Sequence, residues 1–203
     1  MIEPPGIDLE LAHWSENHPL VAGVDEAGRG ALAGPIVAAC VIFPPFCDLR
    51  ALLPGVRDSK TMPAAERSYW ALRISEVAID HGIGIVSAEE IDAIGIQPAN
   101  KKAMTLAMAH CQTRANAYLL DYIHWKPLPP GCQRYKEGET VSISIAAASV
   151  LAKTTRDQIM MEMHPHYPQY RLGQNMGYGT KFHRDAIAQY GYCPLHRRTF
   201  NLK

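Results

Sequence analysis

Two adjacent carboxylates, Asp25 and Glu26, follow the apolar run LVAGV at 20–24 and precede a small-residue stretch, AGRGALAGP at 27–35. Hard oxygen donors this close repel one another unless a cation lies between them, so the pair suits a divalent ion such as Mg²⁺ or Mn²⁺. Successive strand side chains point to opposite faces, so both acids reach one ion only if the chain bends at Glu26. Gly28 and Gly30 supply the backbone freedom for that bend. Asp121 closes a second apolar segment, Tyr118, Leu119 and Leu120, where a carboxylate is costly unless it is solvated or bound to an ion. Glu139, in YKEGET at 135–140, reads on its own as a surface glutamate. Asp157, in TTRD at 154–157, reads as a surface or packing residue of a helix.

Other chemistries fit less well. Gly28, Gly30 and Ala33 match the loose GxGxxA form of a dinucleotide cradle, but that cradle needs a helix directly afterwards. Here Pro35, Ile36 and Val37 continue as strand, and two acids in front would repel a pyrophosphate. Ser149 and Lys153 stand one helical turn apart and imitate a nucleophilic pair; helix packing suits them better. HPHYPQY at 164–170 has no third ligand in register with its histidines, so it reads as a loop with packed aromatics. The five cysteines contain no CxxC pair and are odd in number. Neither a zinc site nor a disulfide framework follows, and a reducing cytoplasm fits best.

The elements that position these acids can be read from periodicity. Residues 20–25 and 36–43 read as strands in a tight antiparallel pair. Thr61 and Pro63 mark a helix start, with Trp70, Ile74, Val77 and Ala78 on one face. A short strand at 83–87 precedes a capping box, Ser87 with Glu90, and a short helix ending near Gly95. Residues 98–116 form a helix with Met104, Ala107, Met108 and Cys111 buried. Residues 117–123 form a strand, KPLPPGC at 126–132 a loop, and VSISI at 141–145 a further strand that opens into a long helix ending near Pro165. A last helix runs from Lys181 to about Gln189, between Thr180 and Gly191. A strand pair followed by strand–helix alternation predicts an α/β fold with a mixed sheet and helices packed on it.

At 203 residues and 47% apolar content the chain can build one domain with a substantial core. Formal net charge is zero, so no global field draws it to a membrane or to nucleic acid. The charge is uneven, however: residues 1–30 hold six acids and one arginine, and residues 171–203 hold six Lys or Arg against Asp185 alone. No apolar stretch approaches the roughly 20 residues that cross a bilayer, and the acidic start resembles no signal peptide. An intracellular protein is expected.

Six segments carry a resemblance: DEAGRGALAGPIVAA at 25–39, DSK at 58–60, LLD at 119–121, IAAASVLAKTTRD at 145–157, MGYGT at 176–180 and HRRTF at 196–200. In their order and register they resemble the ribonuclease HII, or type 2 ribonuclease H, family. Residues 1–19 and 122–137 contribute nothing to the likeness. The resemblance implies a ribonuclease H-like mixed sheet flanked by helices, as one catalytic domain over 1–203. Residues from about 165 to 203 would form a C-terminal appendage that holds substrate. It implies an endonuclease acting on the RNA strand of RNA–DNA hybrids, and on DNA duplexes 5′ of a single embedded ribonucleotide. Ends of 3′-hydroxyl and 5′-phosphate type are expected.

Four acids hold two divalent ions, Mn²⁺ or Mg²⁺, in such enzymes; Asp25, Glu26 and Asp121 fall on the first three positions. Counting seven residues back from Ala146 puts Glu139 on the fourth, where the family pattern has Asp. The resemblance assigns Gly28, Arg29 and Gly30 to the nucleotide backbone and ribose, and Tyr178 to the sugar. Lys60, Lys181, Arg184, Arg197 and Arg198 are expected to contact phosphates. A non-catalytic hybrid-binding protein, motivated by Glu139, is the alternative. A cytoplasmic monomer with no sliding-clamp tail is expected.

Overall fold

A computed structural model describes residues 4–16 and 19–202; Lys203, counted above among the basic residues, lies outside them. The strand pair is as expected: β1 (Val21–Ala27) and β2 (Ile36–Ile42) are antiparallel, with Glu26 opposite Ala38. A helix, α1 (Asp8–Ser15), precedes them. After β2 come a short α2 (Leu49–Leu52), then α3 (Ala64–Val77), which starts just after Pro63, and β3 (Asp80–Val86) on the free edge of β2. Ser87 caps α4 (Ala88–Ile94), its side chain accepting the Glu90 N–H at 3.1 Å. Helix α5 (Ile96–His110) begins after Gly95 and stops short of the expected 116, because Cys111 turns to extended backbone.

Strand β4 (Ala117–Asp121) lies parallel to β1, and β5 (Cys132–Tyr135) lies parallel to β4. The sheet order is therefore β3-β2-β1-β4-β5. Residues 141–145, expected as a strand, are helical instead: α6 (Gly138–Val141) runs into α7 (Ile143–Met163) with Ser142 as N-cap. The alternation in VSISI came from a capping serine between two helical turns, and not from a pleat. Two 3₁₀ turns follow over 164–170, then α8 (Leu172–Asn175) and α9 (Lys181–Tyr190). Among the described residues no helix is long and apolar enough to cross a membrane.

The sheet separates two cores. On one face Val21, Ala39, Val41 and Leu119 pack with α7 and α3; on the other Ala22, Val24, Ala38 and Leu120 pack with α5. The α7 backbone approaches so closely that a Cβ on Gly23 would lie 2.0 Å from the Ser144 carbonyl carbon. A third, smaller cluster joins Leu32 and Ala33 to Tyr170, Leu172, Ile187 and Cys193, so the C-terminal segment docks on the loop after β1.

Candidate active site

Alternation along β1 puts Asp25 on the α7 face with Val21, and Glu26 on the α5 face with Ala22 and Val24. Strand pairing continues through Ala27, so the bend expected at Glu26 does not occur. The acids converge because they sit at the C-terminal end of the strand, where both side chains reach past it. Asp121 ends the parallel neighbour, one residue beyond the Val24–Leu120 pair. Ligand oxygens of Asp25, Glu26 and Asp121 lie within 4.8 Å of one another.

Each carboxylate is held from behind. Asp25 Oδ1 accepts the Glu26 N–H at 2.6 Å, and the Ser149 hydroxyl of α7 also reaches it. Ser149 Oγ in turn lies 2.9 Å from Ser59 Oγ, which ties the DSK turn to the floor of the site. Asp121 Oδ1 accepts the Gly138 N–H at 2.9 Å. Glu26 Oε1 lies 3.4 Å from the Arg29 guanidinium, and the Asn100 amide of α5 also faces that carboxylate.

Burial raises the Asp25 pKa well above the carboxylate range, with the charges of Glu26 and Asp121 adding to it. Glu26 is raised by burial and by Asp121, against the pull of Arg29. Glu139 is nearly buried and raised by burial and by Asp121, against Lys60, whose Nζ lies 3.6 Å from Glu139 Oε1. At Lys60 burial opposes the charge, but Asp58, Glu139, Asp25 and Asp121 together lift its pKa. Buried Oε2 atoms of both Glu26 and Glu139 lack a hydrogen-bond partner. Clustered carboxylates, with buried oxygens of Glu26 and Glu139 left unsatisfied, are what a hard divalent ion would satisfy, so the residues fit one. Glu139 lines the same cavity outside the 4.8 Å triad.

That cavity, of about 540 Å³, is also lined by Gly28, Arg29, Gly30, Lys60, Lys153 and Tyr178. The sequence thus anticipated nine residues that meet in this cavity: the four acids with Gly28, Arg29, Gly30, Lys60 and Tyr178. Lys181 and Arg184 do not line it: Lys181 pairs with Asp185 at 2.6 Å, and Arg184 donates to the Gly179 carbonyl at 2.7 Å. Arg197, expected on a phosphate, is buried, and its guanidinium donates to the Gly34 and Arg29 carbonyls. Asp157 pairs with Arg67 and Lys153, a packing role as its sequence context implied. Arg156 went unremarked in the sequence; it donates to the Pro35, Met176 and Ala33 carbonyls and lies 5.2 Å from the Tyr178 ring centroid. Its partners are backbone carbonyls 20 to 123 residues away along the chain, which local spacing does not reveal.

The ribonuclease HII family model matches residues 22–203. The chain belongs to the ribonuclease HII family. A ribonuclease HII of Caldanaerobacter subterraneus subsp. tengcongensis is 46% identical over 187 residues, 92% of this chain and 76% of that protein. One from Dehalococcoides mccartyi is 41% identical over 198 residues, 97% and 92% of the two chains. Among solved structures, ribonuclease H2 from Pyrococcus horikoshii OT3 superposes with a TM-score of 0.76 at 22% identity, over 90% of this chain and 94% of that one. As a member of the ribonuclease HII family the chain is a metal-dependent endoribonuclease, which decides against a non-catalytic binder. Its acidic cluster is where a divalent ion fits.

Proposed function

We propose that this enzyme hydrolyses the RNA strand of RNA–DNA hybrids and nicks duplex DNA on the 5′ side of a single embedded ribonucleotide. The observation that carries the reading is the meeting of an acidic triad with the Gly28–Gly30 loop and Tyr178 in one cavity. Bound Mg²⁺ or Mn²⁺, two per site, would supply water activation and stabilisation of the leaving 3′ oxygen. Asp25, Glu26 and Asp121 would hold these ions, with Glu139 completing the set. Lys60 balances the acidic charge and offers an ammonium to the substrate backbone. Backbone groups of Gly28, Arg29 and Gly30 would meet the 2′-hydroxyl, the group that distinguishes RNA from DNA at a given site. The Tyr178 ring would pack on the sugar, with Lys153 and Arg156 near its face.

Residues from about 165 to 203 would cradle the duplex beyond the cavity, with Lys181 and Arg184 toward its phosphates. The enzyme is proposed to act as a monomer. The five free cysteines are in keeping with a cytoplasmic site of action. The test is incubation of the purified protein with Mg²⁺ or Mn²⁺ and a duplex carrying one ribonucleotide. A nick 5′ of that ribonucleotide, leaving 3′-hydroxyl and 5′-phosphate ends, is expected; folded protein that makes none with either ion overturns the proposal. Tyr178→Ala is expected to slow the nick roughly tenfold, the scale of one lost aromatic contact.

A further inference from the structure

The family match begins at residue 22, yet residues 4–16 fold against the turn that bears Glu139. The Gly6 N–H donates to the Thr140 carbonyl at 3.0 Å, and the Ile143 N–H donates to the Gly6 carbonyl at 2.9 Å. Four residues further on, Glu10 on α1 is fully buried. Its Oε1 accepts the Ser142 hydroxyl at 2.6 Å and the Ser144 N–H at 3.0 Å. Ser142 is the N-cap of α7 and its own oxygen accepts the Ile145 N–H at 3.1 Å. Glu10 therefore fixes the rotor of the hydroxyl on which the start of α7 depends.

A helix of four residues such as α6 has no stability of its own, because nucleation costs more than so few bonds return. Its position is set by what fastens it. At its start the Gly138 N–H is held by Asp121; at its end Thr140, Ser142, Ile143 and Ser144 are held by Gly6 and Glu10. Glu139 lies between these two anchorages. A glutamate carries one more rotatable bond than an aspartate, so placing its carboxylate beside Asp121 demands a backbone that does not drift. Packing alone would be served by an apolar side chain at position 10, since a buried carboxylate is costly.

We propose that Glu10 and Gly6 are positioning residues that hold the α6 turn so that the Glu139 carboxylate faces the acidic triad. The proposal rests on the reading of Glu139 as a metal-holding residue. The test uses the full chain with Glu10→Leu, which removes the acceptor, and with Gly6→Ala, each alone and combined with Glu139→Gln. A Cβ on Gly6 would lie 2.7 Å from the Val141 carbonyl oxygen, so that variant pushes the same turn by an independent route. Turnover on the single-ribonucleotide duplex, Mn²⁺ affinity by calorimetry without nucleic acid, and Tm are measured.

Each single variant is expected to lower kcat and weaken Mn²⁺ binding roughly tenfold, with KM within about twofold, and both effects should vanish in the Glu139→Gln background. Equal losses in that background would overturn the proposal. So would a lowered Tm with kcat and Mn²⁺ affinity unchanged. If Glu10→Leu fails to fold, Gly6→Ala carries the same comparison. A Glu139→Gln enzyme with unaltered kcat and Mn²⁺ affinity would instead remove Glu139 from the metal site and take the proposal with it, a result distinct from lost coupling.

Discussion

At Asp25 the protein keeps a carboxylate almost out of water beside Glu26 and Asp121, and burial, then those two charges, raise its pKa. A folded-state pKa above the unfolded one means that Asp25 favours folding at low pH and loses that contribution as pH rises through the raised value. In metal-free enzyme at neutral pH the residue therefore opposes folding. Asp25→Asn is expected to abolish turnover yet raise the Tm, by roughly 2–4 °C for each kcal/mol of relieved repulsion. Added Mn²⁺ should raise the wild-type Tm, since it binds only the folded site, and raise the variant's by much less. Calorimetric scans with and without the ion check both. Opposed stability and activity at one residue mark a site kept for chemistry.

Helix α7 does more than fill the space over the sheet. From it Ser149 reaches Asp25, Lys153 lies over Tyr178, and Arg156 joins the loop after β1 to the carbonyl of Met176, two residues before Tyr178. A Cβ on Gly28, where φ is +91°, would lie 2.0 Å from Arg156 Nε, so glycine there serves both the turn and the arginine. Arg156→Met would leave three carbonyls without their donor and is expected to cost about 3 kcal/mol by urea unfolding. Incision should fall with it, because the Tyr178 segment loses its tie to the loop. This element was half legible: its small residues and length were plain, while its start was mistaken for a strand. Strand β5 was missed because its CQRY has no apolar alternation; it exists by pairing with β4.

Across the whole molecule, the C-terminal segment is braced internally by a buried histidine pair and fastened to the catalytic half by buried arginines. The Tyr178 carbonyl accepts from His183 Nδ1 at 3.0 Å, so His183 Nε2 accepts from His196 Nε2 at 3.1 Å, and His196 Nδ1 accepts the Cys193 N–H. Both rings are neutral in this arrangement, with Tyr170 and Tyr192 against His196 and Arg198 close to it. Burial, then His183, lowers the His196 pKa to about 4, and burial lowers His183. The unfolded chain takes up these protons near pH 6.5, so the stability present above that value is lost as pH falls toward 4. For His196 alone the loss by pH 5 is about 2 kcal/mol. The urea midpoint is expected to drop between pH 7 and 5, and His196→Gln should flatten that drop; an equal slope in the variant would show that the pair does not carry it. Arg197, lowered to about 9 by burial and by Arg156, binds the Gly34 and Arg29 carbonyls across the junction with the catalytic half.

By itself the sequence determined the antiparallel start, the capped helices, the acids at strand ends and the motif register that places the chain in its family. These depend on local periodicity, turn chemistry and residue type, all carried by neighbours along the chain. Tertiary structure alone decided how Asp25 and Glu26 meet Asp121: from opposite faces of an unbent strand, at its end. It also turned Arg197 inward, away from the phosphates expected for it, and set Glu10 under the turn that bears Glu139. Such outcomes depend on which groups are buried together, and burial is settled by segments that lie about a hundred residues or more apart in sequence.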